Sequence, residues 1–226
     1  MWLLYHQILC PFSRTVRLVL GERRLAYELI EMAMVDDPRA AKTGYCNTLP
    51  RLCSPVRNFT LTGSWSICEY LEERAPGPSM LIGSAEQRAE IRRLVAWADE
   101  IFFQQVSLPA LSARLPGWAN RQTRTDGDLG SATRHADRLL DELESLLDRR
   151  TWLAGPMISL ADLAAAAQIS VADYLGLIDW SGHDQVSTWY SVMKSRRSFQ
   201  PLLADRVGAL YQPALIMTHG PICGVR

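Results

Sequence analysis

The chain changes its hydrophobic rhythm about a third of the way along. Short apolar runs alternate with helical ones up to about residue 80, and from about residue 85 the spacing is helical throughout. Trp2 to Gln7 predicts a strand. Pro11 then opens a helix that carries Val16, Leu18, Val19 and Leu20 and ends near Gly21, because a first helical turn loses no hydrogen bond to proline. Tyr27 to Met32 alternates as a second strand, and Asp36-Asp37-Pro38 starts a short helix or irregular arm. Leu49 to Cys53 and Phe59 to Leu61 predict two more strands, with Pro55 and Asn58 in the turn between them. Ser64 caps a helix whose Ile67, Tyr70 and Leu71 share one face. The order β-α-β-α-β-β-α predicts one mixed sheet with helices on both faces.

Ala75-Pro76-Gly77-Pro78-Ser79 interrupts this pattern. It divides the chain into an α/β domain over 1–76, a linker over 77–84, an all-helical domain over 85–207 and an irregular tail over 208–226. Ala85 to Val106 reads as a long amphipathic helix with Leu94, Trp97 and Ile101 inward. Leu115 to Gly130 reads as an exposed polar loop, and Ser131 to Leu147 as a second amphipathic helix. Ser159-Leu160-Ala161-Asp162 is a capping box, flanked by Ile158 and Leu163 as a hydrophobic staple. The apolar run from Leu163 to Ile169 predicts a helix buried on all sides. Asp184 to Lys194 and Phe199 to Arg206 predict two final helices.

Composition narrows the function classes. Lys+Arg and Asp+Glu each number 24, so the chain carries no net charge and lacks the basic excess of a nucleic-acid binder. The pairs Arg23-Arg24, Arg92-Arg93, Arg149-Arg150 and Arg196-Arg197 read as solvated helix ends. No apolar run approaches the ~18 residues that cross a membrane. The apolar start lacks a basic flank and meets Pro11 too soon for a signal peptide. A cytoplasmic setting follows, in which the five cysteines (Cys10, Cys46, Cys53, Cys68 and Cys223) are reduced thiols. Their odd number and spacing match neither a disulfide framework nor a metal site.

Three positions carry chemistry. Cys10 stands between a strand and a helix opening with Pro11-Phe12-Ser13, where unpaired amides and the helix dipole favour a thiolate. Arg14, if aimed toward it, adds to that effect; Ser13 stabilises the thiolate or bonds within the first turn. The alternative is that Cys10 only packs at a strand end. Pro50 precedes the third strand. Ser64, after Gly63, either receives an anion at its helix start or only caps it.

The Cys10-Pro11-Phe12-Ser13 turn resembles that of glutaredoxins and omega-class glutathione transferases, where the cysteine forms a mixed disulfide with glutathione. Leu49-Pro50 resembles the cis-proline turn of thioredoxin-like proteins, whose preceding residue pairs with glutathione backbone. Gly44 to Asn47 stands for the family's Asn-Pro-x-Gly, and Asn tolerates the left-handed conformation at the glycine position. Gly63-Ser64-Trp65-Ser66-Ile67 resembles the Glu-Ser-x-Ala-Ile signature that receives the γ-glutamyl carboxylate, with its acidic residue replaced by Gly63. The chain thus resembles the glutathione S-transferase superfamily: a thioredoxin-like domain followed by a helical bundle, with no tightly bound cofactor and glutathione as co-substrate.

Lys194 to Val207, together with Trp189-Tyr190, is similar to the end of the FzlA-type, FtsZ-binding transferase-like proteins of alphaproteobacteria. The similarity spans about residues 1 to 207. It implies a homodimer that binds FtsZ polymers in cell division and is largely non-catalytic, with no nucleic-acid or membrane partner. Lys194, Arg196, Arg197 and Arg206 are the candidate partner-binding residues, on a segment docked by Phe199, Leu202 and Leu203; their alternative role is that of solvated helix ends. An active glutathione S-transferase or omega-like thiol transferase using Cys10 and Ser13, with Leu49, Pro50 and Ser64 binding glutathione, is the alternative. The FzlA-type family usually lacks a cysteine at the Cys10 position and ends in an acidic, aromatic tail, whereas nothing after Asp205 is acidic here.

Overall fold

The structure is a computed structural model that describes residues 1–32, 49–54, 56, 58–115 and 129–207. The Asp36-Asp37-Pro38 arm, the Gly44 to Asn47 segment, Pro55, nearly all of the polar loop and the tail lie outside the described residues.

The first half is built from β1 (Trp2–His6), α1 (Pro11–Glu22), β2 (Tyr27–Glu31), β3 (Arg51–Ser54), β4 (Phe59–Thr62) and α2 (Ser64–Arg74). The strands form one sheet in the order β2-β1-β3-β4. β1 runs parallel to β2, while β3 is antiparallel to both β1 and β4. Leu4 and Leu52 face each other across β1 and β3 and are fully buried, so the central strands carry the core of the sheet. The Leu49-Pro50 bond is cis, as the resemblance implies.

The second half begins with α3 (Ala85–Ala96), started by a capping box that the sequence reading missed: the Ser84 amide donates to Gln87 Oε1 at 2.8 Å. The helix then widens into a π-helical segment, Trp97–Ser107, and continues as α4 (Leu108–Arg114). This winding corrects the expected inward face. A wider turn shifts the periodicity, so Ala98, Phe102, Phe103 and Val106 are buried while Ile101 is 41% exposed. α5 (Leu129–Leu147) starts two residues earlier than expected, and α6 (Leu160–Tyr174) is buried continuously from Leu160 to Ala172. α7 (Asp184–Ser195) follows. The last helix, α8, is only Gln200–Leu203 rather than Phe199 to Arg206. It stops there because Asp205 turns inward to meet two buried guanidinium groups.

The α6 capping box is present and does more than end a helix. Asp162 accepts from the Ser159 amide (2.9 Å), the Ser159 hydroxyl (3.0 Å), the Leu153 amide (2.9 Å) and the Trp189 indole (3.0 Å). Burial pushes its carboxyl up, and these donors pull the other way. A wholly buried carboxylate persists only when its lone pairs are met in this way.

Polar bonds join the two halves where α1 packs on α6. Arg14 and Arg17 are almost fully buried and share Asp205: Arg14 Nη2 donates to Oδ2 at 3.3 Å, and Arg17 donates to Oδ2 at 2.8 Å and Oδ1 at 3.0 Å. Arg14 also donates to Ser170 Oγ and the Ile8 carbonyl. Arg196 grips Glu22, and Arg92 grips Glu69. Gly21 is required at this contact, because a Cβ there meets Ser198 Cβ at 2.9 Å. Arg23, read from sequence as solvated, is buried and donates to Glu72 and to the Ala75 and Pro78 carbonyls. The arginine pairs are therefore not merely solvated helix ends.

Candidate functional site

Pro50 leads into β3, and its carbonyl accepts from the Gly63 amide at 3.0 Å. That bond places the cis-proline turn beside the start of α2, with Leu49 half-buried and Pro50 buried. Gly63 holds φ at +85° and occupies the N-cap position, a conformation that suits glycine. Ser64 is therefore the first helical residue and does not cap α2, which corrects that expectation. Its hydroxyl instead donates to Asp99 Oδ2 at 3.4 Å, reaching across to the π-helical segment.

Asp99 is the residue that the sequence reading missed. Gln168 on α6 donates from Nε2 to Asp99 Oδ1 at 3.4 Å, and Ser107 fixes the amide by donating to Gln168 Oε1 at 2.7 Å. Burial, with a small addition from Glu100, pushes the Asp99 carboxyl up to about 6 against these donors. A signal was present in the sequence: Gln168 is a lone amide inside an apolar run, and a buried amide needs partners.

Cys10 sits at the head of α1, its carbonyl accepting from the Arg14 amide. The side chain is 4% exposed. Burial pushes the thiol up and the nearby Asp99 charge adds to the rise, while the Ser13 side chain and the Ser13 and Phe12 amides oppose it. The expected thiolate is thus not favoured, because the desolvation of a charged sulfur outweighs the helix-end contribution. Arg14 does not help, since its guanidinium points to Asp205 and Ser170 rather than to the sulfur. The Ser13 side chain is fully buried beside that thiol. Phe12 packs on Phe103 of the helical half at 4.6 Å between ring centres.

The four basic candidates do not form one outward set. Lys194 is half-buried with its ammonium 4.5 Å from the Tyr190 ring centre. Arg196 is committed to Glu22. Arg197 is exposed, and Arg206 is exposed while donating to the Leu203 and Asp205 carbonyls. Phe199 and Leu202 dock the segment as expected, but Leu203 is 44% exposed and does not. Among the described residues, no helix is long and apolar enough to cross a membrane.

A thioredoxin-like sheet with a cis-proline turn, joined to a helical bundle, defines the glutathione-transferase fold. Residues 4–79 match the family of the glutathione S-transferase N-terminal domain. FtsZ-localized protein A of Caulobacter vibrioides (strain NA1000 / CB15N) is 37% identical over 207 residues, which is 90% of this chain and 91% of that protein. A solved glutathione S-transferase from Rhodospirillum rubrum F11 is 38% identical, with a TM-score of 0.81 over 92% of this chain and 94% of its own. The structure of FzlA from C. crescentus is 35% identical, with the same TM-score and coverage. The chain belongs to the glutathione S-transferase family.

Proposed function

We propose that this protein is a largely non-catalytic, FtsZ-binding division factor that works in the cytoplasm as a homodimer. The observation that carries the reading is its 37% identity to FtsZ-localized protein A over nine-tenths of both chains. The buried thiol of Cys10 fits it, because a nucleophile that is neither ionised nor exposed reacts slowly. Lys194, Arg197 and Arg206 are the basic groups available to an acidic partner, and rim charges of this kind act chiefly on association rate and salt sensitivity. Leu49, Pro50 and Ser64 remain the residues for glutathione, bound as a co-substrate or ligand rather than as a resident cofactor.

Co-sedimentation with FtsZ polymers at low and moderate salt tests this directly. The protein pellets with polymers, and replacing Lys194, Arg197 and Arg206 together by Glu weakens pelleting most at low salt. Absence of pelleting at both salt levels, alongside robust glutathione turnover, overturns the reading. Light scattering at micromolar concentration gives twice the chain mass for the dimer, and a concentration-independent monomer excludes it.

One observation favours a thiol transferase instead: Cys10 stands at the head of α1 and faces the same Asp99 that Ser64 bonds. In that case Cys10 is the nucleophile and Cys10→Ala is inactive. Full thiol-transfer activity in Cys10→Ala rules it out.

A further inference from the structure

Ser159 begins α6 roughly 13 Å along the helix from Gln168, away from the cis-proline turn and Cys10. Beside it the chain closes a small socket. Ile82 of the linker, Ile91 of α3, and Ala154, Pro156 and Met157 of the loop before α6 surround a cavity of about 120 Å³. We propose that this cavity is a docking socket for one leucine-sized side chain of a protein partner, presented within an acidic segment.

The frame of the socket is preformed. Capping boxes fix both helix starts that meet there, Ser84 with Gln87 and Ser159 with Asp162. Trp152 and Gly155 exchange backbone bonds across the loop at 2.9 and 3.1 Å. Ile91 and Ser159 are fully buried, while Met157 is 59% exposed. An unbranched thioether in that position adapts to the group that enters. The polar atoms of the wall are already engaged. Gln87 Oε1 accepts from the Ser84 amide, the Ser159 hydroxyl donates to Asp162, and the Gly83 carbonyl accepts from Arg88. A polar group entering here finds few partners, whereas an apolar one gives up none.

Size and magnitude decide the occupant. Apolar cavities of about 150 Å³ hold benzene, so this one holds a single leucine-sized group. Burying such a group is worth about 10- to 150-fold in affinity, which alone leaves a free molecule with a Kd on the order of 10 mM. The socket is therefore effective only for a side chain that other contacts deliver, as an interface anchor is delivered. Charge selects the surroundings of that side chain. Arg88 is fixed beside the socket by its 2.6 Å bond to the Gly83 carbonyl. Glu90 is taken by Arg93 and Arg150, and Glu86 bonds the Ser84 hydroxyl. Among the described residues Arg88 thus has no carboxylate in ion-pair contact, and Glu86 attracts it only from further off. An acidic neighbour of the docked side chain supplies that partner. The assignment uses none of the basic groups assigned to FtsZ and does not depend on that reading.

Amide NMR at low salt tests the assignment, with the acetylated and amidated peptides Asp-Asp-Leu-Asp, Asp-Asp-Ala-Asp and Asn-Asn-Leu-Asn titrated to tens of millimolar. The acidic leucine peptide shifts the amides of Ile82, Gly83, Ile91 and Gly155 and binds about tenfold or more tightly than the alanine peptide. Arg88→Gln weakens it about two- to fivefold, the scale of an exposed ion pair. Ala154→Leu fills the socket and removes the difference between the leucine and alanine peptides, while circular dichroism shows an unchanged fold. Arg88→Gln alters only a helix surface and carries the test even where Ala154→Leu fails to fold. Four results overturn the proposal: no shift of the socket amides, equal affinity for the leucine and alanine peptides, equal or tighter binding of the uncharged peptide, or socket amides that shift on dilution of the protein alone, as at an interface between two copies. Co-sedimentation with FtsZ is read separately, so failure here is distinct from failure of that reading.

Discussion

Arg196 crosses the domain boundary to hold Glu22 with two parallel bonds, Nε to Oε1 at 2.6 Å and Nη2 to Oε2 at 2.7 Å. Ser198 adds its hydroxyl to the same carboxylate. The Arg196 guanidinium therefore serves the contact between the two halves, and its replacement by Glu sets two carboxylates against each other. Glu22→Gln or Arg196→Gln is expected to cost roughly 2 kcal/mol, the scale of a charge-assisted bond that is part-buried. For a chain of this size that lowers Tm by about 4–8 °C. The paired exchange Glu22→Arg with Arg196→Glu recovers part of the loss in a double-mutant cycle, and strictly additive losses contradict the pairing.

Asp205 is the one carboxylate between two buried arginines. Asp205→Ala leaves Arg14 and Arg17 without a counter-charge and is expected to destabilise by about 3–5 kcal/mol. Chemical denaturation measures this, with a lower midpoint as the expected result. An unchanged midpoint disproves the role of the cluster.

The pH dependence of stability should bear the mark of Asp99. Its folded carboxyl is pushed from 3.8 up to about 6, so the folded protein holds a proton that the unfolded chain has released in the window between. This contribution favours folding at about pH 4 and is lost as pH rises through about 6. At pH 7.5 the ionised group costs at most about 3 kcal/mol. Asp99→Asn is expected to melt higher than wild type at pH 7.5, with the difference shrinking toward pH 4. A pH-independent difference contradicts the assignment.

Thiol labelling separates the cysteines by burial. Cys10 and Cys68 are buried and driven toward the neutral thiol, while Cys53 on β3 is half-buried beside Thr60. Alkylation followed by mass spectrometry is expected to mark Cys53 well before Cys10 and Cys68, which react on unfolding. Rapid labelling of Cys10 in the folded protein at pH 7 contradicts its burial.

Local rules carried much of the fold. Pro11 opening α1, the short apolar run of β1, the alternation along β2, and Ser159-Asp162 ahead of an apolar run each act within a few residues, so each was legible in sequence. What was missed depends on winding or on distant partners. Nothing in the order Leu94, Trp97, Ile101 announces a π-helical turn, and once the helix widens Ile101 leaves the core. Asp205 appeared to continue a helix, but its direction is set by Arg14 and Arg17 far back in the chain. The candidate site divides the same way. Pro50 and Ser64 are readable from their turns, whereas Asp99 becomes a neighbour of Ser64 only after the two halves dock. The thiol of Cys10 was misjudged because helix position is local and desolvation is not.

The Arg14–Asp205 bond also sets an order of events during synthesis. The two residues are 191 positions apart, so at about 5–20 residues per second the first helix waits about 10–40 s for its counter-charge to be made. Until then its two guanidinium groups must stay in water, and α1 cannot seat fully against the rest of the chain. The contact that completes the buried polar face of α1 can thus form only when the end of the helical half has been made.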